Sequence, residues 1–374
     1  MIAGTGETRY VRRPGPRTTT VSLLARAARE ALRNAGVRHS DVDGLAVASF
    51  SLAPDHAIDL AWKLGVRVSW LMDDASGGAS ALNMLQHARR AVEAGDASTV
   101  LILAGDVLEP SAFRRLVDEY NSATRDHLAP LPHGGPNSLF ALLTMRQMAE
   151  SGLKRSDYGR LVVAQRTWAA RNPGAVYRDL LTVEEYLAAD LVADPLCIYD
   201  CVPVVAGADA VVVTRRSRAR RPVRIRSLGA LHNADDQQGN GLRTGLKEAA
   251  PALWEHAGLG PDDVDVVSVY DDYPAMVLAQ LVDLGFTPDG DFHRLIGAIT
   301  DNALSVNTSG GQLSAGQAGA AGGLHGLVEM TRQLRGEARG RQVEPAHIAA
   351  VTGYGMILYR FGGCANAAIL ERIR

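Results

Sequence analysis

The feature that most constrains the fold is an internal repeat. Ala35-Gly36 followed by Asp41-Val42-Asp43 returns as Ala257-Gly258 followed by Asp263-Val264-Asp265. Gly36 and Gly258 are 222 residues apart, and so are Asp41 and Asp263. In both copies an Ala- and Leu-rich helical pattern precedes the match and an apolar strand pattern follows it. A second echo falls in the same order: Ser76-Gly77-Gly78 against Ser309-Gly310-Gly311, each opening a run of small residues. Two separate echoes in one order read as two related halves packed about a pseudo-twofold axis.

Periodicity fills in the halves. Leu23, Leu24, Ala27, Ala31 and Leu32 share one helical face, and Gly36 closes that helix in the left-handed conformation glycine tolerates. Ser76–Gly95 predicts a second helix, with Ser76 read as its cap. Gly44–Phe50, Ser98–Ala104, Asp209–Thr214, Val223–Leu231 and Val266–Val269 predict strands, several of them apolar throughout, as buried strands are. Gly4 and Gly6 predict a turn just after a brief apolar start. The alternation implies a layered α/β fold. From Leu108 to Pro195 the pattern loosens among six prolines, which reads as an insertion over the core. The expected units are 1–107 with 196–222, the inserted region 108–195, and 223–374.

Charge and cysteine usage exclude several classes. With 39 Lys+Arg against 41 Asp+Glu the net charge is −2, which argues against a nucleic-acid surface. Three cysteines, Cys197, Cys201 and Cys364, are too few for a disulfide framework. No His/Cys pairing suggests a zinc site. No apolar run reaches the roughly 18 residues of a membrane span, and the polar start shows no signal peptide. The expectation is a cytoplasmic protein without a metal.

The most unusual stretch is Ser305–Gly326, SVNTSGGQLSAGQAGAAGGLHG, with glycine at 310, 311, 316, 319, 322, 323 and 326. Ser-Gly-Gly before an Ala-rich run reads as a loop feeding a helix N-terminus, whose free amides suit an oxyanion. Close helix packing through small residues is the competing reading. His325 reads as a packing residue on that helix.

This stretch resembles the thiolase superfamily motif Asn-x-x-Gly-Gly-x-x-x-x-Gly-His-Pro-x-Gly-Ala-x-Gly. Asn307, Gly310, Gly311, Gly316, Ala321 and Gly323 are in register, while Gln317, Ala318 and Ala320 stand at the His, Pro and next Gly positions. Ala35-Gly36…Asp43-Gly44, Asn172-Pro173 and Cys201-x-Pro203…Gly207-Ala208-x-Ala210 extend the resemblance over nearly the whole chain. It implies two duplicated βαβαβαββ halves in a five-layer arrangement with an inserted loop domain, nearest the lipid-transfer-protein or sterol-carrier-protein branch. The family's nucleophilic cysteine falls at Asp74 or Ala75, and no cysteine precedes Cys197. Ser76 as a replacement lacks the family's histidine. Tyr270, in Tyr270-Asp271-Asp272-Tyr273, stands where thiolases keep Asn or His; Asp271 and Asp272 read as solvated. Tyr354 is nearest in register to the family's second cysteine, and Cys364 reads as a deeper structural thiol. His133 lies in the region that covers the acyl-CoA tunnel in relatives.

Retro-aldol chemistry needs no covalent capture. A β-hydroxyacyl thioester gives up its hydroxyl proton, breaks Cα–Cβ, and leaves a carbonyl product and a thioester enolate. The sequence resembles cysteine-lacking thiolase-like aldolases of steroid side-chain degradation, sharing Tyr270–Tyr273 and Asn307-Thr308-x-Gly310-Gly311-Gln312-Leu313. Their second tyrosine is Gln317 here. The resemblance implies an acyl-CoA aldolase, with coenzyme A as part of the substrate and no bound cofactor. It also implies a homodimer and a small OB-fold, zinc-ribbon partner. Tyr270, Gln317, Tyr354 and Tyr273 are the catalytic candidates; Gly77, Gly78, Asn307, Gly310, Gly311 and His133 are those for oxyanion or substrate binding. A thiolase-type acyltransferase with an unusual nucleophile, and a non-catalytic acyl-CoA-binding subunit, stand as alternatives.

Overall fold

The structure, a computed structural model, describes every residue except 120, 129, 132–134, 216–218, 220, 235–238, 359–360 and 374. The first half supplies β1 (Ile2–Glu7), α1 (Thr20–Ala35), β2 (Gly44–Ala48), α2 (His56–Leu64), β3 (Trp70–Asp73), α3 (Ser80–Ala94) and β4 (Thr99–Asp106). Then come α4 (Pro110–Asp118), α5 (Pro136–Ser151), α6 (Arg155–Ala170), α7 (Val183–Ala188) and the small hairpin β5 (Leu191–Ala193) with β6 (Leu196–Cys197). β7 (Gly207–Thr214) returns to the first sheet. The second half holds β8 (Val223–His232), α8 (Leu246–Ala257), β9 (Val266–Ser268), α9 (Pro274–Asp283) and α10 (Phe292–Thr300). It closes with β10 (Ser305–Val306), α11 (Gly311–Ala315), α12 (Gly322–Arg335), β11 (Ile348–Leu358) and β12 (Phe361–Arg372).

The repeat is visible in the strand order β10-β9-β11-β12-β8-β1-β7-β4-β2-β3. Divided between β8 and β1 and followed inward from its outer edge, each set of five has the same order and the same parallel and antiparallel pairings. They join through one register pair, Ile2 with Val223. α3 and α12 lie between them, where Met84, Leu85, Leu324 and Leu327 share a core with inward residues of both sheets. α1 and α2 cover the outer face of the first sheet; α8, α9, α5 and α6 cover that of the second. This is the five-layer arrangement.

Local signals explain the helix ends. The Thr19 hydroxyl accepts from the Ser22 amide, and Gly36 closes α1 at φ 66°. One expectation fails at the start of the chain. Gly4 and Gly6 form no turn but sit inside β1, in the middle of the sheet. A Cβ on Gly4 would lie 2.6 Å from the Ala31 carbonyl oxygen, so the missing side chains let α1 rest directly on the strand.

Candidate active site

The site is built where the two halves meet, at the C-terminal end of β9. Tyr270 leaves that strand with its amide donating to Thr352 Oγ1 at 3.0 Å and its carbonyl accepting from Gln280 Nε2 at 2.8 Å. Thr352 in turn donates to Gln280 Oε1 at 2.7 Å. This triangle fixes the backbone and directs the buried ring onto Gly78, where a Cβ would overlap the phenol carbons. Only glycine at 78 admits the ring. Gln317 Nε2 donates to Tyr270 Oη at 2.9 Å and to Gln312 Oε1 at 3.1 Å. The Gln317 backbone pairs across the halves, its amide donating to the Pro203 carbonyl and its carbonyl accepting from Val205.

The glycine-rich stretch is pinned at both ends. At its foot, Glu329 is buried and takes Arg341 through two bonds of 2.9 and 2.7 Å, with Thr308 donating to it at 2.7 Å. At the turn, Asp271 accepts from the Gln312 amide at 2.8 Å, from Gln165 Nε2 of α6 at 2.9 Å, and from the Leu313 amide at 3.4 Å. Asp271 and Asp272 are therefore buried, not solvated. Burial raises the Asp271 pKa to about 7 against those donors, and lifts Asp272, beside the Asp271 charge, well above the carboxylate range.

A carboxyl that holds its proton more tightly when folded costs stability as pH rises from about 4 to about 7. Asp271→Asn keeps an acceptor for the Gln312 amide and removes the titration. The variant is expected to lose less stability than the parent between pH 5 and 8 in urea unfolding. An identical pH slope for the two proteins would refute this assignment.

The other sequence candidates divide. Gly77 and Gly78 open the 3-10 turn before α3, where amides have no intrahelical acceptor by position. Asn307, at φ 51°, accepts from the Val269 amide at 2.8 Å and holds the turn after β10. Gly310 and Gly311 do not serve as open oxyanion donors, because their amides bond to the Asn307 carbonyl and to Ser309 Oγ. Their positive φ angles let the turn pack against Ala169 and Asp271. The Tyr354 carbonyl oxygen lies against Gly78 beside the Tyr270 ring, while its side chain points the other way. Gly353 and Gly355 face the turn at Gly78, so the alternation of β11 sends Tyr354 to the outer core, where its hydroxyl meets the Gly362 amide. Tyr273 stands at the N-cap of α9, stacks on Phe140 at 4.1 Å and donates to Asn137 Oδ1 at 2.6 Å. His133 lies outside the described residues.

The nucleophile position holds no thiol of its own. Asp74 accepts from the Ser76 amide at 2.8 Å, so the carboxylate and not the Ser76 hydroxyl caps this turn. Ser76 Oγ accepts from Asn83 Nδ2 at 3.0 Å and has no histidine among its bonded neighbours. Cys364, expected deeper in the fold, is half-buried on β12, in register with Gly355, which faces Ser76. Its pKa is raised by burial, which keeps it a thiol at neutral pH.

His325 is more than a packing residue. Its ring bonds Glu7 Oε1 at 2.9 Å and Ser309 Oγ at 2.8 Å, and Arg332 holds the other Glu7 oxygen at 2.5 Å. Burial opposes its charge, but Glu7 and Asp209 outweigh that and raise its pKa. Glu7, Asp209 and His325 converge closely enough to hold a metal. Arg332 already neutralises Glu7, so the cluster reads as a clamp between β1 and α12.

The comparisons agree with this architecture. The family described as "Thiolase C-terminal domain-like" matches residues 229–371. The 17-hydroxy-3-oxo-4-pregnene-20-carboxyl-CoA lyase of Mycobacterium tuberculosis is 32% identical over 378 residues, covering 95% of this chain and 96% of that protein. The steroid side-chain-cleaving aldolase of Thermomonospora curvata is 29% identical, covering 95% of each. The solved structure of the Ltp2-ChsH2(DUF35) aldolase superposes with a TM-score of 0.83 at 26% identity, over 99% of this chain and 97% of that one. With a full-length relative at that identity, the chain belongs to the thiolase superfamily, beside its thiolase-like aldolases.

Proposed function

We propose that this thiolase-like lyase is an acyl-CoA aldolase that splits the Cα–Cβ bond of a β-hydroxyacyl-CoA without a cysteine nucleophile. The observation that carries the reading is the Gln317 amide donating to Tyr270 Oη at 2.9 Å, above Gly78 at the seam of the two halves. A donated hydrogen bond favours the phenolate over the phenol. Tyr270 takes the proton from the Cβ hydroxyl, the Cα–Cβ pair moves onto the thioester, and a ketone or aldehyde departs. The amides of Gly77 and Gly78 hold the enolate oxygen, at the start of α3. The phenol returns its proton to Cα, giving the shorter acyl-CoA. The proton that leaves oxygen is the one carbon needs, so no second reactant enters.

The names of the relatives support a steroid side chain as the acyl group. The superposed complex, Ltp2 with ChsH2(DUF35), supports a DUF35 partner. A homodimer is supported by β3, an edge strand, and by Trp62 and Ile58 of the neighbouring α2, which are 80% and 61% exposed. Among the described residues no helix is long and apolar enough to cross a membrane.

The test combines the purified chain with a DUF35 protein and β-hydroxyacyl-CoAs, steroidal and simple, with the mass in solution measured alongside. The expected products are one carbonyl compound and one shorter acyl-CoA, with no free coenzyme A consumed. Dependence on added coenzyme A would sink the reading. A second reading, acyl transfer through Cys364, rests on its pairing with Gly355, which faces the turn at Ser76 and Gly78. A trapped acyl group on Cys364 would select it, and its raised pKa argues against it.

A further inference from the structure

We infer that Gln312 is a positioning residue that sets which edge of the Gln317 amide faces Tyr270, an inference that rests on the aldolase reading for its catalytic meaning alone. A glutamine side chain can present either its NH2 or its carbonyl to a neighbour. The two choices have opposite effects on a phenol. A donated N–H stabilises the phenolate, whereas an accepting carbonyl holds the proton on the phenol. Gln317 has both N–H groups committed, one to Tyr270 Oη at 2.9 Å and one to Gln312 Oε1 at 3.1 Å. The Gln312 carbonyl oxygen thus selects the donating edge.

Three independent features hold Gln312 for this task. Its amide is tied to Asp271 Oδ1 at 2.8 Å, which locks the first turn of α11. Its side chain is buried, and its own Nε2 is buried without a hydrogen-bond partner. An orphaned buried donor is costly, and it persists where the opposite edge of the group has work to do. Finally, Gly322 makes room for it. A Cβ there would come within 3.2 Å of the Gln312 amide carbon and overlap its oxygen. Gly322 is helical, with φ −49° and ψ −45°, where alanine would otherwise be favoured. The glycine is explained by the amide that fills its place.

The experiment follows the absorbance of the Tyr270 phenolate, each protein measured against its own Tyr270→Phe control, and needs no substrate. In Gln312→Met, which fills the space but accepts no N–H, the ionisation midpoint is expected to rise by roughly one pH unit, a tenfold change. Gly322→Ala, which displaces the amide while improving the helix, is expected to shift it the same way without loss of thermal stability. In the cleavage assay both variants lose about tenfold in kcat with little change in KM, and the pH profile moves with the titration. A parental titration in Gln312→Met overturns the assignment. So does a change in stability alone. A shifted titration in a protein that cleaves no β-hydroxyacyl-CoA overturns the aldolase reading and leaves the positioning role standing.

Discussion

Tyr270→Phe is expected to lower cleavage turnover by about 10³-fold while leaving the fold intact, the range by which a positioned acid or base accelerates proton transfer. The substitution removes one oxygen and keeps the ring that fills the space above Gly78. The backbone clamp at Thr352 and Gln280 does not involve the phenol. Single-turnover measurement with saturating acyl-CoA separates this effect from binding, and a loss confined to KM would show that Tyr270 binds without reacting. Gln317→Met should fall between Tyr270→Phe and the parent, because the proton carrier remains and only its support is lost.

The second large effect concerns stability. Arg341→Met leaves Glu329 buried with its guanidinium partner gone, a change that costs about 3–5 kcal/mol when a buried pair is broken from one side. Burial opposes the Glu329 charge, and Arg341 is the main force that lowers its pKa regardless. In the parent, that depressed pKa contributes stability present above the ordinary glutamate range and lost as pH falls through the folded value. In the variant the sign reverses, and stability is expected to fall as pH rises. Equilibrium unfolding at pH 5 and pH 8 reads both results. A change below about 1 kcal/mol at pH 8 would show that Thr308, Gln333, which donates to Glu329 Oε1 at 3.2 Å, and the nearby Arg332 charge satisfy the carboxylate without Arg341.

Much of the architecture is legible in the sequence because it is carried by repetition and periodicity. The Gly36/Gly258 echo anticipates twin sheets, and both glycines close helices at φ 66° and 64°. Tyr270 is marked by its place after an apolar strand. What cannot be read from the string depends on contacts between distant segments. Asp271 and Asp272 look solvated there, since paired acids are usually exposed. They lie inside because α6 and α11 fold over the end of β9. Tyr354 escapes because a strand's alternation fixes that two neighbours face opposite sides, without saying which side is which. Its glycine neighbours, Gly353 and Gly355, are the residues that face Gly78. Gln312 does carry a signal, a long polar side chain directly after Gly-Gly in a run dominated by small residues.

The place of β1 also bears on how the protein is made. Its partners are β7, some two hundred residues downstream, and β8 beyond that. At about 5–20 residues per second, the ribosome takes roughly 10–40 s to deliver them. During that wait Ile2–Glu7 has α1 for company and no neighbour in the sheet. The first half therefore cannot finish before the inserted helices have emerged, and a nascent chain halted after β4 would expose an unpaired, apolar edge to the cell's chaperones.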